Sequence, residues 1–191
     1  DLLALYKQVP SWVGDAGQTI NSFSDWSVGL QRLDEFAVPN DGNRTGMVTP
    51  TDYYGLANSF TGSYVESIAK GAIEKARLPM LGGSDVYMAQ NVQTHTVGAH
   101  GGTPLIRGAS QSTTYASSLT TDTMDLVTDG WTTNKGLKEG DVFTISGVNA
   151  VNPVTKAALG FARQFRIVSN VTTNTSAAAA TTITISPAII T

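Results

Sequence analysis

The spacing of apolar residues changes abruptly at Gly82-Gly83. Before these glycines, apolar residues recur at the period of an amphipathic helix, most clearly between Val65 and Ala76. After Asp85 no helical period extends beyond Val154–Gly160, and short β-branched or aromatic runs alternate with turn residues. Helices and strands demand different periods, so this change constrains the fold strongly. It predicts an α+β chain, with an α/β part over residues 1 to about 85 and an all-β part after it.

The predicted β domain centres on residues 136–168, where two strands flank a long connection. Gly140 lies in the turn before the first strand, where a residue that tolerates positive φ is needed. Two polar connections, Gly108–Thr123 and Asn149–Ala162, are long for a compact domain, and loops of this kind are often functional. Six short strands favour a small sandwich or barrel: Val86–Ala89, Pro104–Arg107, Met124–Val127, Val142–Ser146, Phe165–Ser169 and Ile183–Ser186.

Helix starts are predicted at three places in the first part of the chain. Ser24 is the expected N-cap of a helix over Asp25–Ala37. Thr49 is the expected N-cap of the next helix, with Pro50 at its first position. Ser63 is predicted to begin a third helix.

Charge and composition exclude several classes of protein. Charged residues make up only 14% of the chain, its net charge is −3, and its 12 basic residues are scattered, which argues against a protein that follows a nucleic-acid backbone. The chain has no cysteine, so disulfides, zinc-thiolate sites and thiol nucleophiles are excluded. No apolar run approaches the ~20 residues of a membrane span, and no membrane partner is expected.

Residues able to do chemistry are few and lie apart in the sequence. His95 and His100 stand five residues apart in a Thr/Gly-rich segment, which is not a helical metal-ligand spacing. The nearby acids Asp122, Asp125 and Asp129 lack the pattern of a calcium loop. No glycine-rich phosphate loop or serine nucleophile elbow is present. We therefore predict that the protein is not an enzyme and has no catalytic, cofactor-binding or metal-binding residues.

Three segments resemble, in order, the major coat proteins of short-tailed double-stranded-DNA phages of enteric bacteria and their prophage relatives. They are Asn43–Tyr53, Asp85–Thr96, and the run from Gly140-Asp141 through Asn152–Lys156 to Arg163-Gln164-Phe165. The resemblance implies a viral structural protein with the Johnson-type fold first described for the Hong Kong phage capsid. Residues 1–10 would end the spine helix, residues 11–84 would be part of the axial domain, and residues 85–191 would be an inserted β-barrel domain.

The resemblance also implies partners and a location. Copies of the chain would self-assemble into hexamers and pentamers of an icosahedral shell, aided by scaffolding and portal proteins, with double-stranded DNA only as contents. The protein would belong to the virion capsid and assemble in the bacterial host cytoplasm. Because Asp1 already lies in a helix-like pattern, the sequence is expected to be a piece of a longer coat protein.

Two loops of the inserted domain carry the expected contacts. By its order along the chain, Gly108–Ser118 corresponds to the family's loop that crosses between capsomers, so Arg107, Gln111 and Tyr115 are the predicted intersubunit contacts. The family's loop is charged, whereas this one is almost neutral. Val151–Arg163 corresponds to a second contact loop, which Lys156 and Arg163 are predicted to support. An alternative interpretation is a β-rich module of a phage or bacterial surface protein that binds carbohydrate or a receptor.

Overall fold

The computed structural model of the protein describes residues 2–61, 66–75, 78–108, 111 and 122–189. The chain forms two compact units. The β unit comprises Asp1–Trp12, Thr94–Asn149 and Phe161–Thr191, and the helical unit comprises Val13–Gln93 and Ala150–Gly160. The division into domains at residues 84 and 85 stays a prediction.

Helix α1 of the helical unit spans Phe23–Glu35. Its N-cap is Ser22 rather than the predicted Ser24. The Ser22 hydroxyl accepts a hydrogen bond from the Asp25 amide at 3.2 Å, and the Asp25 carboxylate accepts one from the Ser22 amide at 3.2 Å. This reciprocal capping box satisfies two backbone donors at once, which Ser24 has no acid in position to do.

Helix α2 spans Pro50–Ser59 and begins as predicted. The Thr49 side chain caps it by accepting from the Asp52 amide, and Pro50 occupies the first turn. Helix α3 spans Glu66–Lys75. The predicted N-cap Ser63, together with Val65 and Ala76, lies outside the described residues. The small core of this unit centres on Leu56, Ala57 and Leu78.

Strands β1 (Arg44–Val48) and β2 (Ser84–Met88) form a parallel pair within the helical unit. The second of these matches the predicted strand Val86–Ala89, but it pairs with β1 and not with the strands that follow it in sequence. Arg44 and Val48 are buried, while Met47, paired with Tyr87, is 68% exposed.

The remaining described strands are β3 Gly102–Ile106, β4 Met124–Trp131, β5 Gly136–Leu137, β6 Val142–Val151, β7 Ala158–Ile167, β8 Val171–Thr172 and β9 Thr181–Ser186. Five of them form an open, curled sheet in the β unit, in the order β3-β4-β9-β7-β6. The chain is therefore of mixed helix and sheet content, as predicted, but the described strands form a half-barrel and not a closed barrel. A separate antiparallel pair joins β5 and β8, two-residue strands too short to be recognised from the sequence.

One apolar core lies inside this sheet. Phe165 is 1% exposed, and Ile185 is fully buried where β7 and β9 pair. Burial of such side chains contributes ~1.5–3 kcal/mol each relative to exposure, so these strands hold the unit together. The buried members of the cluster are Met124, Leu126, Leu137, Phe165, Ile167, Ile183, Ile185 and Ala188.

The prediction that Asn149–Ala162, and with it Val151–Arg163, forms a loop along its whole length was wrong. Strands β6 and β7 extend into it as a hairpin, so that only residues 152–157 form the connection. Asn152 Oδ1 accepts from the amides of Val154 at 2.9 Å and Thr155 at 3.0 Å, and Lys156 has a φ of 59°. This side-chain-capped turn lets the strands continue through a sequence rich in Ala and Gly, which by itself has little β propensity.

Candidate functional site

The described residues contain no group of His, Asp and Glu side chains arranged to hold a metal ion. None of the helices in this part of the chain has the length and apolar character needed to cross a membrane. The candidate sites of each unit are its surfaces and polar clusters.

Asp141 is the centre of the main polar cluster in the β unit. It is 6% exposed and follows the predicted turn glycine Gly140, whose φ is 90°. Its carboxylate accepts from the Lys138 amide at 2.8 Å and from the Gly98 amide at 3.1 Å. His95 Nε2 lies 2.8 Å from the other carboxylate oxygen. A buried carboxylate with this many partners ties loops together, and here it joins residues 95–98 to the turn before β6.

The N-terminal segment Leu2–Trp12 belongs to the same unit, and we call it the strap. It contains a 3-10 helix over Leu2–Gln8, where the sequence predicted a helical segment. The Tyr6 ring meets the His95 ring edge-on at 5.8 Å between centroids. Lys7 Nζ lies 3.9 Å from a Glu139 carboxylate oxygen. The strap thus contacts the turn that Asp141 organises.

The last contact of the strap is a clasp between Trp12 and Gln164 of β7. Gln164 Oε1 accepts from the Trp12 amide at 2.8 Å, and Gln164 Nε2 donates to the Trp12 carbonyl at 2.7 Å. The side-chain amide of Gln164 therefore forms the pair of hydrogen bonds with Trp12 that the backbone of a neighbouring strand would otherwise form. Sequence reasoning did not identify this pair, because nothing in the pattern shows which residue a strand glutamine will meet.

Arg107 and Gln111, two of the predicted intersubunit contacts, are engaged within the β unit. Arg107 Nη1 donates to the Ala178 carbonyl at 3.1 Å, and its Nε lies 3.9 Å from Asp129. Gln111 accepts from the Val127 amide at 2.8 Å and donates to the Val127 carbonyl at 3.2 Å, so it pairs with β4. Tyr115 and most of Gly108–Thr123 lie outside the described residues.

The two predicted loop-supporting residues lie on different parts of the β6–β7 hairpin. Lys156 is exposed in the turn, and its amide donates to the Asn152 carbonyl at 2.9 Å. Arg163 is partly buried on β7, and this burial lowers the pKa of its guanidinium. Their supporting role stays a prediction. In the helical unit, the hairpin tip is held by Asn152 Nδ2, which donates to the Glu35 carbonyl at the end of α1 at 3.3 Å.

Large exposed apolar residues occur in both units, including an end strand of the sheet and the hairpin turn. Leu105 of β3 is 62% exposed, and Val154 in the hairpin turn is 73% exposed. The end strands β3 and β6 both line a largely apolar cavity of about 630 Å³ in the β unit. Asp141 is the only acid along its described lining, and its oxygens already have partners.

Comparison with known families gives these surfaces a context. A family model described as P22 coat protein, gene protein 5, matches residues 6–191. The chain belongs to the P22 coat protein family. It is thus a structural capsid protein of the short-tailed double-stranded-DNA phages, as the sequence resemblance predicted, and nothing found favours a receptor-binding module. No curated protein matches the chain.

Proposed function

We propose that copies of this chain form the wall of an icosahedral shell, arranged as hexamers and pentamers. The match to a coat protein family over residues 6–191 carries the proposal. A chain with only 14% charged residues also supports it, because surfaces with few charges lose little solvation energy when copies meet. A shell repeats each contact many times, so every single contact can stay weak enough for misplaced copies to dissociate.

The fold we propose is the Johnson type, with residues 1–10 ending the spine helix, residues 11–84 in the axial domain and residues 85–191 as the inserted domain. Two features support it. The helical unit combines three α-helices with a parallel strand pair, and parallel strands are normally found in larger sheets covered on both faces. The β unit contains an antiparallel sheet with its own core, as an inserted domain requires.

The partners we propose are other copies of the chain, scaffolding and portal proteins, and DNA as contents. A net charge of −3 supports the last point, since a protein that tracked phosphates would need clustered positive charge. Assembly would take place in the host cytoplasm, and the proposal assigns no catalytic reaction to the chain.

We propose Arg107, Gln111 and Tyr115 as intersubunit contact residues, with different contributions. The Arg107 side chain is 46% exposed, and its partner Asp129 lies at the outer limit for an ion pair, so its guanidinium can turn toward another copy. Gln111 already pairs with Val127 and would hold the base of the loop on β4. Lys156 and Arg163 would support the β6–β7 hairpin against its own subunit.

Assembly is tested by light scattering and negative-stain microscopy of the purified protein over a range of concentrations, with and without a scaffolding protein. The expected result is capsid-sized particles or capsomers. A protein that stays monomeric throughout and binds glycans on an array would instead support the receptor-binding module.

Two variants test the contact residues, and the structure predicts different results for them. Arg107→Ala should reduce assembly and leave the unfolding midpoint of the monomer almost unchanged, whereas Gln111→Ala should lower both. If Arg107→Ala assembled normally, its intersubunit role would be excluded. Alanine at both Lys156 and Arg163 should lower monomer stability without altering DNA packaging, and the reverse result would contradict their supporting role.

A further inference from the structure

The β unit contains a largely apolar cavity of about 630 Å³ that both end strands of its sheet line. Leu126 and Ile183 belong to the buried core and are each 1% exposed, so they form its floor. Leu105 and Val97 also line it but are 62% and 52% exposed, so they form its rim. The apolar lining therefore continues from the core to the surface, and its volume is that of a small-molecule site, typically ~300–1,000 Å³.

Charge along the described lining restricts what the cavity can hold. Asp141 is the only acid there, and no lysine or arginine accompanies it. Its oxygens accept from the amides of Gly98 and Lys138, and His95 Nε2 lies 2.8 Å away. An anion would be repelled by this carboxylate, and a cation would find its oxygens already bonded. The lining therefore favours a neutral molecule.

His100 places a hydrogen-bond acceptor on the same lining. Its backbone amide donates to the Gly98 carbonyl at 2.8 Å, and its Nδ1 lies 3.1 Å from that carbonyl. A carbonyl oxygen only accepts, so Nδ1 carries the hydrogen, and Nε2 of the neutral ring is an acceptor. Nε2 has no hydrogen-bond partner among the described residues. Because the Gly98 amide is itself fixed on Asp141, the buried carboxylate positions this ring.

We propose that the cavity binds a neutral amphiphile with an apolar chain and a single hydroxyl, the chemistry of a medium-chain alcohol. The chain would cover Leu126 and Ile183 and remove the exposed rim from water, and the hydroxyl would donate to His100 Nε2. The exposed hydroxyls of Thr144 and Ser146 on β6 line the cavity too and suit a polar head that stays near the solvent. The proposal is independent of shell assembly, because the described lining lies within one β unit.

Titration with n-octanol tests the site in the unmodified chain. Methyl groups of leucine and isoleucine are isotope-labelled and followed by NMR at mildly alkaline pH, where imidazole is neutral. Saturable shifts and contacts with the octanol chain are expected at Leu126 and Ile183, while Leu56 in the core of the helical unit stays unchanged. Shifts that never saturate, or that appear equally at Leu56, would show unspecific solvation and overturn the proposal.

Charged analogues of equal chain length test the requirement for a neutral head. Octanoate and octylammonium should each bind several-fold more weakly than octanol, because the only charge on the described lining is the fully bonded carboxylate of Asp141. Equal affinity for either ion would overturn the assignment of a neutral ligand.

An isomer of octanol isolates the hydrogen bond to His100. Heptyl methyl ether has the same atoms but no hydroxyl hydrogen to donate, and it should bind the native chain about 2- to 10-fold more weakly. In His100→Phe the two isomers should bind equally, and a difference that persists there would exclude His100 as the acceptor. Leu105→Glu, at an exposed rim position, should weaken the binding of both isomers in parallel and leave the unfolding midpoint almost unchanged. Unaltered binding in that variant would place the ligand outside this cavity and overturn the proposal.

Discussion

The side chain of Gln164 forms both hydrogen bonds with the backbone of Trp12, at 2.8 Å and 2.7 Å. The two residues are 152 positions apart, so this pair is among the longest-range contacts in the chain. It lies on the surface, where water competes for both groups. Its effect should therefore be local: it fixes the end of the strap more than it stabilises the sheet.

Gln164→Ala should speed hydrogen exchange of the Trp12 amide strongly while lowering the free energy of unfolding by only about 0.5–1.5 kcal/mol. Gln164→Glu keeps the acceptor for the amide but places a second oxygen against the Trp12 carbonyl, and should give an intermediate exchange rate. Amide exchange followed by NMR checks both. Equal loss of protection at Trp12 and at Phe165 would mean that the clasp holds the sheet itself.

Gly46→Ala should destabilise the helical unit, because the added Cβ would lie 2.1 Å from Cη2 of the Trp26 indole. The ring cannot shift freely, since its Nε1 donates to Ser84 Oγ at 3.1 Å. We expect a loss of about 1–3 kcal/mol, typical of overpacking, in urea unfolding.

Gly29→Ala is the matched control for that substitution. Gly29 lies within α1 with open space where its Cβ would be, so alanine there should stabilise the protein by about 0.5–1 kcal/mol through helix propensity. Alanine at a glycine of strand β1 and at a glycine of helix α1 should thus change the stability in opposite directions. If both substitutions changed the stability similarly, the contact with Trp26 would not be the cause of the effect at Gly46.

Asp141→Asn should destabilise the β unit by about 2–4 kcal/mol. The substitution removes the charge and replaces one carboxylate oxygen by an NH₂; when the remaining oxygen keeps the amides of Lys138 and Gly98, the NH₂ takes the place of the oxygen that meets His95 Nε2. Chemical denaturation followed by circular dichroism measures the loss. Glu139→Gln, two residues earlier and with a 42% exposed side chain, should change stability far less, and comparable losses would argue against a special role for Asp141.

The features of this fold that could be predicted from the sequence are those that depend on interactions between residues close together in the chain. Thr49 and Pro50 fix the start of α2, and Gly140 fixes a turn, through interactions within a few residues. The pairing of β2 with β1 could not be predicted, because the two strands are far apart in sequence and short strands carry no information about their neighbours. Likewise the Ala/Gly-rich start of β7 forms a strand because it pairs within the hairpin, which overrides its propensity.

Arg44 should contribute more to the stability of the helical unit than its ion-pair partner Asp34. Its guanidinium is buried and donates to the Val38 carbonyl at 2.6 Å and the Pro39 carbonyl at 3.2 Å, so it binds the chain just after α1. Arg44→Met should lower stability by about 1–3 kcal/mol. Asp34→Asn should cost below about 1 kcal/mol, since that side chain is 58% exposed and keeps an acceptor oxygen. Urea unfolding of the two variants ranks them, and a larger loss for Asp34→Asn would contradict this assignment.

Asp41 should titrate below the ordinary range of an aspartate. Hydrogen bonds from the Asn43 side chain and then from the Asn43 amide, each at 3.1 Å, stabilise the carboxylate and lower its pKa. Because folding lowers this pKa, the contribution to stability is present above the unfolded value and is lost as the pH falls through the folded value, below about pH 4.

Asn43→Ala removes the side-chain hydrogen bond, the larger of the two causes of the lowered pKa, and should raise the titration midpoint of Asp41 toward its ordinary value. Carboxyl carbon shifts followed by NMR between neutral and acidic pH measure the midpoint in both proteins. The side chain is exposed, so the folded state should persist through the titration and the change should remain confined to the turn before β1. An identical midpoint in the variant would show that the backbone amide alone holds the carboxylate.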